Sequence, residues 1–148
     1  MVDFAHQVAK GMEYLASRKV RRKNEIFYNF LKNAPFFQKV THGYLAACNV
    51  LIDVHGILKI TDCGAVLRDV HAIETCFKSE AVKWMAPEFL GHRVYTIQSD
   101  VWSFGILLWE IVSLGDSPYP GLANTEKLFE LICEGLRMEQ PIGSSTKL

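Results

Sequence analysis

Three short runs in this chain carry the side chains able to do chemistry. His42-Gly43-Tyr44-Leu45-Ala46-Ala47-Cys48-Asn49 comes first, Asp62-Cys63-Gly64 follows, and Val82-Lys83-Trp84-Met85-Ala86-Pro87-Glu88 comes last. Asn49 offers an amide oxygen and Asp62 a carboxylate, the hard donors that a small divalent cation prefers. Asp62 alone reads as a turn residue at a strand end. Tyr44 is a phenol with an ordinary pKa near ~10, so it is a poor proton acceptor at neutral pH.

The elements around these runs follow from apolar spacing. Val50-Leu51-Ile52 and Ile57-Leu58-Lys59-Ile60 flank Asp53-Val54-His55-Gly56, which predicts a small hairpin with Asp62 just past its second strand. From Val2 to Lys19 the apolar positions Ala5, Val8, Ala9, Met12, Leu15 and Ala16 make one face of an amphipathic helix. From Asp100 to Val112 the chain is apolar almost all round, which predicts a fully buried helix ended by Gly115, Pro118 and Pro120. Thr125 could cap a last helix holding Leu128, Phe129, Leu131 and Ile132 and stopped by Gly135. Residues 65 to 81 read as a loop, and 142–148 as a disordered tail. Asp100 by itself is explained as a helix N-cap.

The 148 residues suit one domain, 49% hydrophobic with formal net charge +0. No basic excess points to nucleic acid. Cys48, Cys63, Cys76 and Cys133 form no CxxC pair and read as reduced cytosolic thiols. No apolar run reaches the ~18 to 20 residues of a membrane span, and the N-terminus lacks a signal-peptide layout.

The order and spacing of the three runs resemble the catalytic loop, the metal-binding aspartate turn and the following alanine-proline-glutamate motif of protein kinases. Gly11-Met12-Glu13-Tyr14-Leu15-Ala16-Ser17-Arg18-Lys19, Leu45-Ala46-Ala47 before Asn49, and Ser99-Asp100-Val101-Trp102-Ser103-Phe104-Gly105 are similar to receptor tyrosine kinases in particular. The resemblance implies a mostly α fold with a small β-hairpin, an incomplete kinase-like fold of the C-terminal lobe over residues 1–141. It implies that Asn49 and Asp62 hold the magnesium that neutralises ATP phosphates, and that Leu51 lies beneath the adenine over Leu107 and Ile111. It implies that Val82, Lys83 and Trp84 form a platform beside a substrate tyrosine, and that Asp100 braces the backbone around His42. Protein partners or tyrosine substrates follow, in the cytoplasm or on the cytoplasmic side of the plasma membrane within a longer receptor.

Departures from the family pattern weigh against catalysis. Tyr44 stands where the family has the aspartate base, and Gly43 where it has the arginine that pairs with a phosphorylated activation loop. The stretch from Ala65 to Ala81 holds no tyrosine. Cys63 replaces the phenylalanine of the metal-site turn, and Cys48 the usual arginine beside the substrate. No GxGxxG occurs and no family lysine strand precedes Val2, so the chain is expected to be one lobe, ending before the arginine that pairs with Glu88. The expectation is a kinase-like chain that is inactive by itself. The alternatives are a pseudokinase interaction module, or a fragment or mis-spliced form of a full receptor kinase.

Residues 20–38 interrupt the family's run with a basic cluster, Arg21-Arg22-Lys23, and scattered aromatics around Pro35. Val20-Arg21 can be encoded GTA-AGA and Phe36-Phe37-Gln38 TTT-TTT-CAG, the two ends of a short intron read in frame. The competing account is a genuine loop that binds through its basic cluster.

Overall fold

A computed structural model describes residues 1–21, 37–64, 75, 80–122 and 125–141. The first element is helix α1, Val2–Ser17, with Asp3 in its first turn, where a carboxylate suits the helix dipole. Its apolar face buries Val8. Arg18 turns extended and ends the helix, slightly before the expected limit at Lys19.

Strand β1, Lys19–Arg21, pairs antiparallel with β2, Phe37–Lys39, in the register Lys19↔Lys39. The sequence shows no strand period in this segment, yet a short ladder joins its two ends. Residues 22–36 between them lie outside the described residues. The described residues therefore hold two small antiparallel strand pairs where the sequence predicts one.

The predicted hairpin forms from β3, Val50–Ile52, and β4, Leu58–Ile60. Asp53 builds its turn: Oδ1 accepts from the backbone N–H groups of His55 at 2.9 Å and Ile57 at 3.0 Å. Contacts at Gln7 and Gly11 seat this hairpin on α1. Gln7 Oε1 accepts from the Leu58 N–H at 2.9 Å. A Cβ added at Gly11 would stand 2.7 Å from Ile60 Cδ1, so the missing side chain lets helix and strand approach.

Helix α2 spans Pro87–His92, α3 Ile97–Val112 and α4 Thr125–Cys133. Thr96 and Ser99 form a capping box that starts α3. This begins the helix before Asp100, which leaves Asp100 in the first turn rather than as the cap. Gly135, with φ +104, follows α4.

Helix α3 lies between two apolar clusters. Leu107 packs with Val8 and Leu45, against Val50, Leu58 and Ile60 of the hairpin. Ile106 packs with Val82, Met85, Phe89, Leu128 and Ile132. The expectation of burial all round is corrected on one side: Leu107 is 1% exposed, but Val101 is 63% exposed. Val101 and Phe104 face an open groove shared with Ala9 and Met12 of α1, because two packed neighbours cover only part of a helix circumference. The expected tail, 142–148, and most of the loop expected at 65 to 81 lie outside the described residues. Among the described residues no helix is long and apolar enough to cross a membrane.

Candidate functional site

The loop from His42 to Asn49 is held by a buried carboxylate. Asp100 Oδ2 accepts from the His42 N–H at 2.8 Å, and Oδ1 from the Gly43 N–H at 3.1 Å and the Tyr95 hydroxyl at 2.9 Å. The resemblance assigned a brace of this kind to Asp100. Gly43 sits at φ +86, a conformation that glycine adopts without strain.

His42 is fully buried and spans two segments. Its Nε2 lies 2.8 Å from the Thr61 carbonyl, which can only accept, so Nε2 carries the proton. Nδ1 then accepts from the Tyr44 N–H at 3.2 Å. Burial lowers the His42 pKa, partly opposed by the Asp100 charge, and the ring is neutral. The His42 carbonyl accepts from Gly64 at 2.6 Å, which fastens the Asp62 turn to the loop.

Asn49 ends a 3-10 turn, Ala47–Asn49, and is buried. Its Nδ2 donates to the Tyr44 carbonyl at 2.8 Å. The Asn49 carbonyl accepts from the Thr61 N–H at 2.9 Å, so the turn bearing Asp62 starts beside Asn49. Asp62 is exposed, at φ +59, and its Oδ2 accepts from the Thr61 hydroxyl at 3.3 Å. Among the described residues no group of three or more His, Cys, Asp or Glu side chains gathers. One carboxylate and one amide suit magnesium that keeps waters and takes phosphate oxygens, rather than an ion caged by protein. Leu51 is exposed beside this site, while Leu107 beneath the hairpin is buried and Ile111 half-buried. Cys63 is half-buried, and desolvation pushes its thiol pKa up.

Val82, Lys83 and Trp84 lie in a second 3-10 turn, Glu80–Trp84. Lys83 is buried; its Nζ donates to Ser117 Oγ at 2.9 Å and lies 3.7 Å from Glu80. The Trp84 carbonyl accepts from Ser103 Oγ at 2.8 Å, and its indole Nε1 donates to Glu110 Oε2 at 2.7 Å. The same Glu110 oxygen accepts from the Ala47 N–H at 3.0 Å. The Tyr44 ring meets Trp84 edge-on, with centroids 6.1 Å apart. Glu88 accepts from Ser99 Oγ at 2.6 Å.

The structure brings His42, Tyr44, Asn49, the Asp62 turn, Trp84 and Asp100 together, while Leu51 is exposed on β3. Glu110 is the residue the sequence reading missed. Its signal was present: a lone carboxylate in the otherwise apolar run from Ile106 to Val112.

Residues 28–148 match the family described as protein tyrosine and serine/threonine kinase. The whole chain aligns with fibroblast growth factor receptor 1 of Xenopus laevis at 46% identity, and with that of Pleurodeles waltl at the same identity. It spans 16% of the length of each. On these matches the chain belongs to the protein tyrosine and serine/threonine kinase family and is receptor-tyrosine-kinase-like.

Proposed function

We propose that this chain is the substrate-facing lobe of a tyrosine-kinase-like domain whose catalytic loop no longer supports phosphate transfer. The family reaction moves the ATP γ-phosphate to a protein tyrosine, with an aspartate accepting the hydroxyl proton. The observation that carries the reading is Tyr44: it takes the aspartate position and turns its ring onto Trp84. A phenol cannot accept that proton at neutral pH, and loss of a general base removes ~10²–10⁴-fold in rate.

Magnesium bound here would neutralise phosphate charge, and Asn49 Oδ1 with Asp62 would hold it. His42 and Asp100 keep Asn49 in place by fixing the loop backbone, and Thr61 sets the start of the Asp62 turn beside it. The Val82–Trp84 platform is held by Ser103, Ser117 and Glu110 whether or not phosphate moves. That favours retained binding of a protein partner at the platform. Within a longer receptor this lobe would lie on the cytoplasmic side of the plasma membrane.

The test uses the purified chain and a graft. The chain with magnesium-ATP and a tyrosine peptide should give no phosphotyrosine above a no-protein control. The run His42–Asn49 placed in the kinase domain of fibroblast growth factor receptor 1 should lower transfer ~10²–10⁴-fold, and Tyr44→Asp within the graft should restore most of it. Transfer by the chain, or an unimpaired graft, overturns the proposal.

A further inference from the structure

Glu110 joins two segments that touch nothing else in common through side-chain hydrogen bonds among the described residues. One is the Ala47–Asn49 turn that carries the cation ligand, and the other is the Glu80–Trp84 turn that carries the platform. A single oxygen, Oε2, accepts from the Ala47 N–H at 3.0 Å and from the Trp84 indole at 2.7 Å. The residue is 7% exposed on an apolar helix. Among the described residues no lysine or arginine pairs with it. A buried carboxylate in such a place is costly unless donors are aimed at it, and both donors here come from the site.

The anchor itself is stiff. The Glu110 carbonyl accepts from the Gly115 N–H at 2.8 Å and the Ser113 hydroxyl at 3.3 Å, which closes the end of α3 around it. Phosphorylation cannot supply the same ordering by the family's route: Gly43 offers no guanidinium and residues 65 to 81 hold no tyrosine.

We propose that Glu110 is a positioning residue that fastens the Val82–Trp84 platform to the Asn49 loop, keeping the peptide-facing surface in register with the cation ligands without a phosphorylated activation segment. The inference rests on reading Val82–Trp84 as the substrate platform. It makes Ala47 and Trp84 report on one shared carboxylate. The charged and titratable side chains on the two packed turns are Glu80, Lys83 and Cys48; Lys83 is engaged by Ser117 and Glu80, and Cys48 is exposed. Asp116 is exposed beyond the helix end. Burial raises the Glu110 pKa, and the Trp84 and Ala47 donors oppose that rise.

Nuclear magnetic resonance of the whole chain tests the tie. The Trp84 indole N–H, identified by Trp84→Phe, and the Ala47 amide should titrate together, with a common midpoint above the ordinary carboxylate range. Glu110→Gln should abolish both titrations while keeping both protons slow to exchange, because the amide oxygen still accepts. In Trp84→Phe, the Ala47 titration should persist and move to higher pH, since one donor favouring the charged form is gone. Separate midpoints, titrations that survive Glu110→Gln, or an Ala47 midpoint unmoved by Trp84→Phe would overturn the proposal. If Glu110→Gln fails to fold, the Trp84→Phe shift still decides. Phosphotyrosine formation is scored separately, so a failure of the inactive-kinase reading does not pass for a failure of this one.

Discussion

Excision of residues 20–38 would join Lys19 directly to Lys39, and these two residues are register partners across β1 and β2. Antiparallel partners have Cα atoms about 4.5–5.5 Å apart, against about 3.8 Å for bonded neighbours. Closing the junction therefore asks for a shift of only about 1–2 Å. The adjoining bond from the Val40 N–H to the Arg18 carbonyl, 3.0 Å, is the backbone contact most exposed to that shift. Losing it and the short ladder costs on the order of 0.5–1.5 kcal/mol per bond. Against this, a connection of about twenty residues costs about 2–3 kcal/mol of closure entropy, which a direct peptide bond avoids. Loss and gain are of similar size, so the deletion should be close to neutral, within about 1 kcal/mol, a shift of no more than a few degrees in melting temperature. Thermal melts followed by circular dichroism read the midpoint, and amide spectra confirm that Val8, Leu45 and Leu107 keep their environment. A midpoint lowered by more than a few degrees, or loss of a cooperative melt, would show that the lobe needs the segment and refute the excision argument. Messenger RNA reads settle the intron idea: mature transcripts spanning residues 20–38 without matching splice-site codons would end it.

Three further outcomes follow from the site. Asp100→Ala strands the buried His42 and Gly43 N–H groups, while the Tyr95 hydroxyl keeps Ser103 Oγ at 3.5 Å; at ~1–3 kcal/mol for each stranded group, it should cost about 2–6 kcal/mol in urea melts, and a loss under about 1 kcal/mol would show the brace to be idle. The lowered His42 pKa means that the folded state disfavours the imidazolium; its stability contribution is present above the unfolded value near ~6.5 and is lost as pH falls through the lower folded value, so stability measured from pH 7 to pH 4 should decline by an increment that His42→Gln lacks. Magnesium-ATP should bind through Asn49 and Asp62 only at millimolar order or weaker; calorimetry giving a micromolar dissociation constant would contradict the two-ligand site, and Asp62→Asn should remove what binding there is.

The helices around the site were legible in the sequence because apolar spacing is a local property. One apolar face from Ala5 to Ala16 required α1, and the Val50–Ile60 pattern with its Asp53 turn required the hairpin. The order of Asn49, Asp62 and Glu88 made the family visible, since kinase chemistry demands those residue types at those separations. Tyr44 and Gly43 carried the expectation of a missing base and a missing phosphate partner with no structure at all. Tertiary structure decided what depends on neighbours distant in the chain. For Asp100 the sequence left both a brace and a cap open; Thr96 and Ser99 start the helix, and the Asp100 carboxylate accepts from His42 and Gly43. Val101 looked buried and is exposed, because composition does not say which side of a helix meets a partner. Glu110 drew no reading from the sequence, and only the folded chain brings Ala47 and Trp84 to the same oxygen. Hydrogen bonds across more than twenty residues leave no period in a sequence, so the tie between loop and platform could be found only where the chain has closed on itself.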